Sequence, residues 1–223
     1  MVSTALVDGG SDRPVTSNVS EVTNAIREAI VRGDYAPNQR LIEADLSTAF
    51  GASRGAVRAA LFELASDGLI DRLPNRGSRV RAITLDEAVE ILEVRIGLEG
   101  LCAAKAAERI TDAQIEELRA LREDLLQAVA SGDLLTYSTL NQKLDKRIRE
   151  LSGHSTAVGI LEKLRAQSVR HQFRLSFQPG RAAASAPEHA AIIDAIVNRD
   201  ADAAMEATRQ HLLGVIEAVK QLD

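Results

Sequence analysis

The sequence predicts a mainly α protein, in which an N-terminal winged helix-turn-helix precedes a C-terminal antiparallel bundle of six helices. Three observations support this fold class. Apolar residues recur at helical spacing through most of the 223 residues. Two short alternating segments interrupt that pattern over residues 69–81, and only helical patterns follow them. We therefore expect a disordered tail over residues 1–17 and domains over residues 18–82 and 83–223.

The first domain begins with an amphipathic helix that ends at Gly33 and a short second helix over residues 43–50. A third helix follows a tight turn at Gly51. Ser53 suits its N-cap, because the hydroxyl can accept a bond from a backbone N–H, and Gly68 ends it. The apolar faces of the first and third helices are formed by Val19, Val22, Ile26, Ile30, Val57, Leu61 and Leu64.

The third helix has the layout of a DNA recognition helix. Arg54 and Arg58 are four residues apart, so both project from one exposed face near the start of the helix. The opposite face is apolar and is expected to be buried. We predict that the two arginines contact base edges or phosphates from the major groove.

The two alternating segments, residues 69–73 and 78–81, predict strands joined by a turn. Arg76 is expected at the tip, where Gly77 lets the backbone approach the minor groove or the phosphates. Taken alone, a basic hairpin is usually only a solvated turn. Here it follows three helices in the winged-helix order, and the combination predicts DNA binding. The hairpin is basic because it contains Arg72, Arg76, Arg79 and Arg81.

Residues 19–82 resemble the DNA-binding domain of GntR-type bacterial transcription factors. The matching segments are residues 36–41, 51–61, 67–70 and 76–80. The chain departs from the usual pattern at Asn38, where Gly usually follows Pro, at Gly55-Ala56 in place of Thr-Pro, and at Ala59 in place of Glu. The resemblance implies a homodimer on a pseudo-palindromic operator in double-stranded DNA. The expected DNA contacts are Arg40, Ser53, Arg54, Gly55, Arg58, Arg76 and Gly77.

Composition narrows the function classes. Residues 1–82 carry ten arginines and ten acidic residues, whereas the remainder carries 17 basic and 22 acidic residues. Any DNA contact must therefore come from local arginines rather than from net charge. Aromatic residues make up only 3%, which argues against binding single strands by base stacking. Since no apolar run reaches membrane length and no signal peptide is evident, we expect a cytoplasmic protein with no membrane partner.

The second domain is predicted to contain six helices with short connections, the pattern of an antiparallel bundle. Thr84 with Glu87 predicts a capping box at the first helix. A loop is expected over residues 179–186, Pro187 opens the fifth helix, and Asp200 starts the sixth. The first five helices are expected to end near residues 109, 130, 151, 177 and 198.

Two histidines form the most informative polar pair of this bundle. His189 and His211 are each eleven residues from Asp200, so both lie about 16 Å along adjacent antiparallel helices. Inward imidazoles at one level would make half of a metal site. Asn141 and Asp145, four residues apart on the third helix, are placed to converge on the same cavity. The alternative is that the histidines bond to each other or to a backbone carbonyl.

Residues 84–221 resemble the FCD effector domain of the FadR subfamily, in its short, VanR-like six-helix form. The matching segments are residues 93–99, 188–189, 199–204 and 209–212. In many members an Asp and a His four residues apart join two later histidines around a divalent metal. Here the earlier pair is Asn141 and Asp145. The resemblance therefore implies a metal on Asn141, Asp145, His189 and His211, with zinc, nickel, manganese and iron all open.

Two function classes follow. The favoured one is a transcription regulator whose helical domain senses a small carboxylate and thereby alters operator binding. Arg95 and Arg174 are the candidates for binding the effector carboxylate. The alternative is a metal-dependent enzyme that uses two histidines and Asp145. Against it, the sequence offers no separate acid–base pair and no nucleophile with its base.

Overall fold

The computed structural model describes residues 18–73, 76–176 and 178–221, without the side chains of residues 169–174 and 176. The tail predicted over residues 1–17 lies outside the described residues. The chain divides into two compact units between Ala82 and Ile83. Each unit is described below by itself.

In the first unit, the described residues form three helices and a small antiparallel sheet, which confirms the predicted winged helix-turn-helix. Its elements are α1 (Val19–Arg32), β1 (Arg40–Leu41), α2 (Glu43–Ala49), α3 (Arg54–Ser66), β2 (Ile70–Leu73) and β3 (Gly77–Val80). The strand order is β1-β3-β2, with Arg40 opposite Arg79 and Ile70 opposite Val80. Strand β1 was not predicted, because two residues are too few to show an alternating pattern.

The predicted apolar faces of α1 and α3 form the core of this unit. Ile26, Val57 and Leu64 are completely buried. Helix α3 begins as expected, because the Ser53 hydroxyl accepts a hydrogen bond of 3.2 Å from the Ala56 N–H. This cap fixes where the exposed arginines of α3 start.

Asn38 lies at a turn that requires the left-handed backbone region, with φ of +62°. Glycine adopts this conformation most easily, and asparagine tolerates it better than most other residues. The Asn38 N–H also donates to the Val80 carbonyl at 2.9 Å, which joins the turn to β3. The departure from Gly at this position therefore keeps the turn intact.

The described part of the second unit contains six helices, as predicted. They are α4 (Leu85–Arg109), α5 (Asp112–Ala130), α6 (Leu134–Ser152), α7 (Ser155–Ser176), α8 (Arg181–Val197) and α9 (Ala201–Lys220). Helix α4 packs against α6, α7, α8 and α9, while α5 packs against α6 and α8. Thr84 and Asp200 cap α4 and α9 through bonds from the N–H groups of Glu87 and Ala203.

The predicted start of the fifth helix at Pro187 is wrong. Helix α8 begins at Arg181, so Pro187 is its seventh residue and residues 181–186 are helical rather than a loop. Proline inside a helix removes one backbone hydrogen bond. The preceding residues are rich in alanine, which has the highest helix propensity, and Ala182, Ser185 and Ala186 are buried. Packing and propensity together outweigh the proline.

Most of the core of the second unit lies between α4, α5, α6, α8 and α9. It includes the fully or almost fully buried Leu118, Leu125, Leu144, Ile193 and Ile196. Each such side chain contributes about 1.5–3 kcal/mol through burial. Among the described residues, no helix is long and apolar enough to cross a membrane.

Candidate functional site

The recognition face of α3 presents two arginines in different electrostatic states. Arg54 and Gly55 are exposed, and Arg54 forms no ion pair within the described part of the chain. Arg58 is also exposed but pairs with Glu43 at the start of α2: its Nε donates to Oε1 at 3.1 Å and its Nη2 to Oε2 at 2.8 Å. Sequence reasoning treated Arg54 and Arg58 as equivalent and overlooked Glu43.

The hairpin arginines likewise differ in their contacts. Arg79 pairs with Asp71 at 3.0 Å, and the Arg72 guanidinium lies 3.6 Å from the centroid of the Phe62 ring. Arg76 is exposed next to Gly77, whose φ is +83°, and forms no ion pair with any described residue. Arg40 on β1 is exposed as well. Of the predicted DNA contacts, Arg40, Arg54 and Arg76 are exposed arginines that form no ion pair with another described residue.

The second unit encloses a cavity of about 30 Å³ between α4, α6, α8 and α9. It is lined by Glu99, Cys102, Leu144, Asp145, Ile148, Arg149, His189, Ile192, Thr208 and His211. Three of the four predicted metal ligands therefore meet at one cavity. Asn141 does not line it, contrary to expectation, although its Oδ1 is buried without a hydrogen-bond partner among the described residues.

The two histidines lie at the same level on α8 and α9, as their positions relative to Asp200 predict. Their Nε2 atoms are 3.2 Å apart, so they bond to each other, as in the alternative considered from the sequence. His211 Nδ1 lies 2.8 Å from Glu188 Oε2, and Tyr137 Oη lies 3.1 Å from His189 Nδ1. Because an ionised carboxylate can only accept, His211 Nδ1 carries a proton. A single proton then lies between the two Nε2 atoms.

Burial determines the protonation states of His189 and Tyr137 in this hydrogen-bonded chain. His189 is only 2% exposed. Burial and the neighbouring His211 lower the pKa of His189 to about 3, so its imidazole is neutral near pH 7. Burial also raises the pKa of Tyr137 to about 12, so this hydroxyl keeps its proton. The pair is thus uncharged at His189 and stabilised by hydrogen bonds.

Glu188 connects the histidines to the start of α8. Arg181 Nη2 lies 3.0 Å from Glu188 Oε2, and its Nη1 lies 3.5 Å from the Gly214 carbonyl. Although burial raises the pKa of Glu188, His211 and Arg181 lower it by more, so the carboxylate stays ionised. Gly214 allows this approach, since a Cβ there would lie 2.9 Å from Glu188 Oε1. Sequence reasoning noted Glu188 only as the neighbour of His189.

A buried charge network lies on the α4 side of the cavity. Arg95 is 4% exposed, and its Nε donates to Glu99 Oε1 at 2.8 Å. Arg165 Nη1 lies 2.6 Å from Asp145 Oδ2 and 3.7 Å from Glu99 Oε1. Burial raises the pKa of Asp145, but Arg165, His189 and Arg95 lower it by more, so that the resulting pKa is about 2. Asp145 is therefore an ionised partner of Arg165.

Arg149 is a cavity residue that sequence reasoning missed. It lines the cavity and forms no ion pair within the described residues, while burial and the nearby Arg165 lower its pKa. Guanidinium nevertheless stays protonated. Of Arg95, Arg149 and Arg165, only Arg149 has no ion pair within the described residues, although the exposed Glu162 also acts on its charge. A spacing of four residues on α6 could have indicated this polar face: Tyr137, Asn141, Asp145, Arg149.

The two predicted effector contacts have different outcomes. Arg95 is tied to Glu99 and does not line the cavity, although its Nη1 is buried without a hydrogen-bond partner in the described structure. The side chain of Arg174 lies outside the described residues. Among the side chains that the structure describes, Arg149 is the guanidinium that lines the cavity.

The histidine pair fits a metal ion in part. Two nitrogens that are each 2.0–2.1 Å from one ion are about 3 Å apart, close to the separation of the two Nε2 atoms. However, no group of three histidine, cysteine or carboxylate side chains suited to a metal occurs in the described residues. Asp145 is engaged with Arg165 at 2.6 Å. The residues as arranged thus supply two ligands, and Asn141 Oδ1 is a nearby unused oxygen on the same helix as Asp145.

An exposed, capped arginine helix with a basic wing, joined to a helical domain that encloses a polar cavity, defines the class of DNA-binding transcription regulators. The family model for bacterial regulatory proteins of the gntR family matches residues 18–80, and the model for the FCD domain matches residues 90–214. The chain belongs to the GntR family and carries an FCD domain.

Relatives of known sequence and structure agree with this family. The chain is 29% identical to the HTH-type transcriptional repressor RspR of Escherichia coli K12 over 215 residues, covering 94% of this chain and 91% of that protein. It is 30% identical over 207 residues to the HTH-type transcriptional regulator YdfH of Escherichia coli O6:H1, covering 91% and 89%. Its fold is similar to that of E. coli McbR/YncC, with a TM-score of 0.76 at 23% identity, covering 93% of this chain and 99% of that one. The family and these relatives are transcription regulators and not enzymes, so the enzyme alternative is set aside.

Proposed function

We propose that this regulator binds a pseudo-palindromic operator as a homodimer and that a small carboxylate metabolite, bound in the cavity of its helical domain, alters operator affinity. The observation that carries the DNA-binding part is the exposed Arg54 at the capped start of α3, beside Arg58 and the wing residue Arg76. Arg54 and Arg58 are assigned to the major groove. Arg40, Ser53, Gly55, Arg76 and Gly77 complete the proposed contacts with DNA.

Selection from a pool of randomised duplexes with the wild-type protein provides the operator for the test. Arg54→Ala and Arg76→Ala should each weaken binding to the selected duplex, Arg54→Ala by about tenfold or more, because a bidentate base contact is lost. The decrease of binding with salt should also become less steep for Arg76→Ala, since a phosphate contact is removed. Fluorescence anisotropy measures both effects.

Arg32→Ala is the matched control. Arg32 is an exposed arginine at the end of α1, where it pairs with Asp34 at 2.9 Å and does not belong to the proposed DNA face. This variant removes the same charge from the same unit and should bind like the wild type. Equal losses in Arg32→Ala and Arg54→Ala would refute the recognition-helix assignment.

The unpaired positive charge of Arg149 supports the carboxylate part of the proposal. Glu99 and Asp145 are each paired with an arginine and Glu162 is exposed, so an anionic group in the cavity meets Arg149 as a guanidinium without an ion pair in the described structure. A guanidinium can bind a carboxylate through two parallel hydrogen bonds. Because the cavity is only about 30 Å³, the ligand must be small or the helices must move apart as it binds.

A divalent metal ion is the second component of the effector site in this proposal. His189 and His211 would hold it through their Nε2 atoms, with Asp145 and Asn141 as further candidate ligands. When bound, such an ion supplies a positive centre for the effector carboxylate. Since a metal-ligating nitrogen must be deprotonated, the proton that the two Nε2 atoms share would move to Nδ1 of His189, which lies 3.1 Å from Tyr137 Oη.

Titration of metal-free protein with Zn²⁺ and Ni²⁺ tests this component. Binding is followed by calorimetry in two buffers of different ionisation enthalpy, so that any net proton release is counted. The wild type should bind with little net release, because the proton of His189 passes to its other ring nitrogen, and the double variant His189→Ala with His211→Ala should not bind. Unchanged binding in the double variant would remove these histidines from the site.

Acetate, lactate and citrate are suitable probes of the effector site, with release of the selected duplex as the readout. Arg149→Gln should weaken the response, whereas Arg119→Gln, which changes an exposed arginine of α5, should not. The effector acts by favouring one arrangement of the dimer over another, so it should be recovered unchanged after release.

A further inference from the structure

We propose that Glu43 determines DNA specificity by holding Arg58, so that this arginine does not bind the phosphates of non-operator DNA. The inference rests on the recognition-helix assignment under Proposed function. It concerns a carboxylate on α2 that lies within the proposed DNA face.

The geometry shows a specific pair rather than a chance contact. Glu43 is the first residue of α2, and Arg58 lies on α3, fifteen residues later. Arg58 Nε is 3.1 and 3.2 Å from the two carboxylate oxygens, and its Nη2 is 2.8 Å from Oε2. Both side chains remain exposed, 37% for Glu43 and 62% for Arg58. DNA therefore has access to a guanidinium that already has an acceptor.

The charges around Glu43 belong to the same face. The hydrogen bond from Arg58 lowers the pKa of Glu43, and the charges of Arg54 and Arg72 add to this effect. One carboxylate thus interacts with three arginines of the recognition helix and wing. An incoming phosphate must replace this carboxylate at Nε and Nη2 of Arg58 or use the remaining donors, and in both cases it experiences the repulsion of Glu43.

The consequence differs between operator and non-operator DNA. Phosphates are present along every duplex, so an unrestrained arginine strengthens binding to all sequences. The O6 and N7 atoms of guanine offer two acceptors to a guanidinium at defined positions only. With Glu43 in place, contact between Arg58 and a phosphate is weakened on every duplex, whereas a base edge that α3 brings against the guanidinium adds an acceptor pair on the operator alone. The pair thereby suppresses non-specific binding more than operator binding.

Glu43→Gln tests this inference, because it keeps the shape of the side chain and removes its charge. Binding is measured by anisotropy on a random duplex of about 20 base pairs, in KCl between about 50 and 200 mM. The variant should bind random duplex about three- to fivefold more tightly at the middle of this range, since an exposed ion pair has been removed. The slope of log affinity against log salt concentration should become steeper by the amount expected for about one additional phosphate contact. Affinity for the selected operator should rise less, so that the ratio of operator to random binding falls.

Two comparisons separate this effect from a change in net charge or folding. Glu28→Gln removes one charge from the exposed face of α1 and should leave both affinities close to the wild type. In an Arg58→Gln background, Glu43→Gln should have a clearly smaller effect on the slope, because its hydrogen-bonded partner is gone. Circular dichroism and the melting temperature show that each variant is folded.

Several outcomes would overturn the inference. Equal behaviour of Glu43→Gln and Glu28→Gln would do so, as would an undiminished effect of Glu43→Gln in the Arg58→Gln background. Both outcomes leave the operator function in place. If the wild-type protein selects no sequence from the pool, the operator function itself is refuted and this inference with it.

Discussion

Acidification should weaken the metal-free protein because His189 stays neutral when folded. Its pKa is about 3 in the folded chain, against 6.5 for the free side chain. Between these values the unfolded chain binds a proton at this residue and the folded chain does not. The free energy of unfolding therefore falls as the pH drops below about 6.5, and the loss continues to about pH 3.

The magnitude follows from the two pKa values. At about pH 5.5, one unit below the unfolded pKa, protonation of the unfolded chain lowers the free energy of unfolding by about 1.4 kcal/mol relative to neutral pH. The Asp145 carboxylate acts in the same direction but at lower pH, since its folded pKa is lowered to about 2. Its stabilisation is present above its unfolded pKa and is lost only below about pH 4. A change in the free energy of unfolding between pH 7.5 and 5.5 therefore reflects protonation of histidine and not of this carboxylate.

Urea unfolding at both pH values, followed by circular dichroism with EDTA present, measures the effect. His189→Gln should reduce the loss on acidification by about 1.4 kcal/mol, because the amide can still bond to Tyr137 and His211 but does not titrate. His154→Asn is the control: His154 caps α7 by accepting from the Ala157 N–H at 3.2 Å, and asparagine is also a good N-cap. If His189→Gln loses as much stability as the wild type on acidification, the assignment of a neutral, buried His189 is wrong.

The remaining predictions concern stability at neutral pH. Tyr137→Phe should lower the free energy of unfolding by about 1–3 kcal/mol, because the buried Nδ1 of His189 loses its 3.1 Å partner. Urea unfolding measures this loss, and a change no larger than that of Thr139→Ala, an exposed hydroxyl on the same helix, would contradict it. Asp200→Ala should lower the unfolding free energy by about 1 kcal/mol through loss of the α9 cap, whereas Asp200→Asn should retain most of it. Equal destabilisation by the two substitutions would argue against the cap.

Local sequence signals determined the helices and their order because they depend on residues close together in the chain. The apolar spacing of α1 and α3, the Ser53 cap and the Asp200 cap each involve contacts within a few residues. The same reasoning placed His189 and His211 at one level, since both are the same distance from one turn. It failed at Pro187, where a local stop signal competes with burial of the preceding alanines.

Tertiary packing alone decided which charged side chains meet. Glu43 of α2 pairs with Arg58 of α3, and Asp145 of α6 pairs with Arg165 of α7. Arg149 lines the cavity and has no ion pair among the described residues. Such pairings join residues that are remote in the chain, so no periodicity or cap encodes them. The amino-acid sequence by itself therefore determined a winged helix-turn-helix followed by a six-helix bundle. The three-dimensional structure decided which arginines remain free to bind DNA or a carboxylate, because an ion pair depends on distances of a few ångströms that only packing sets.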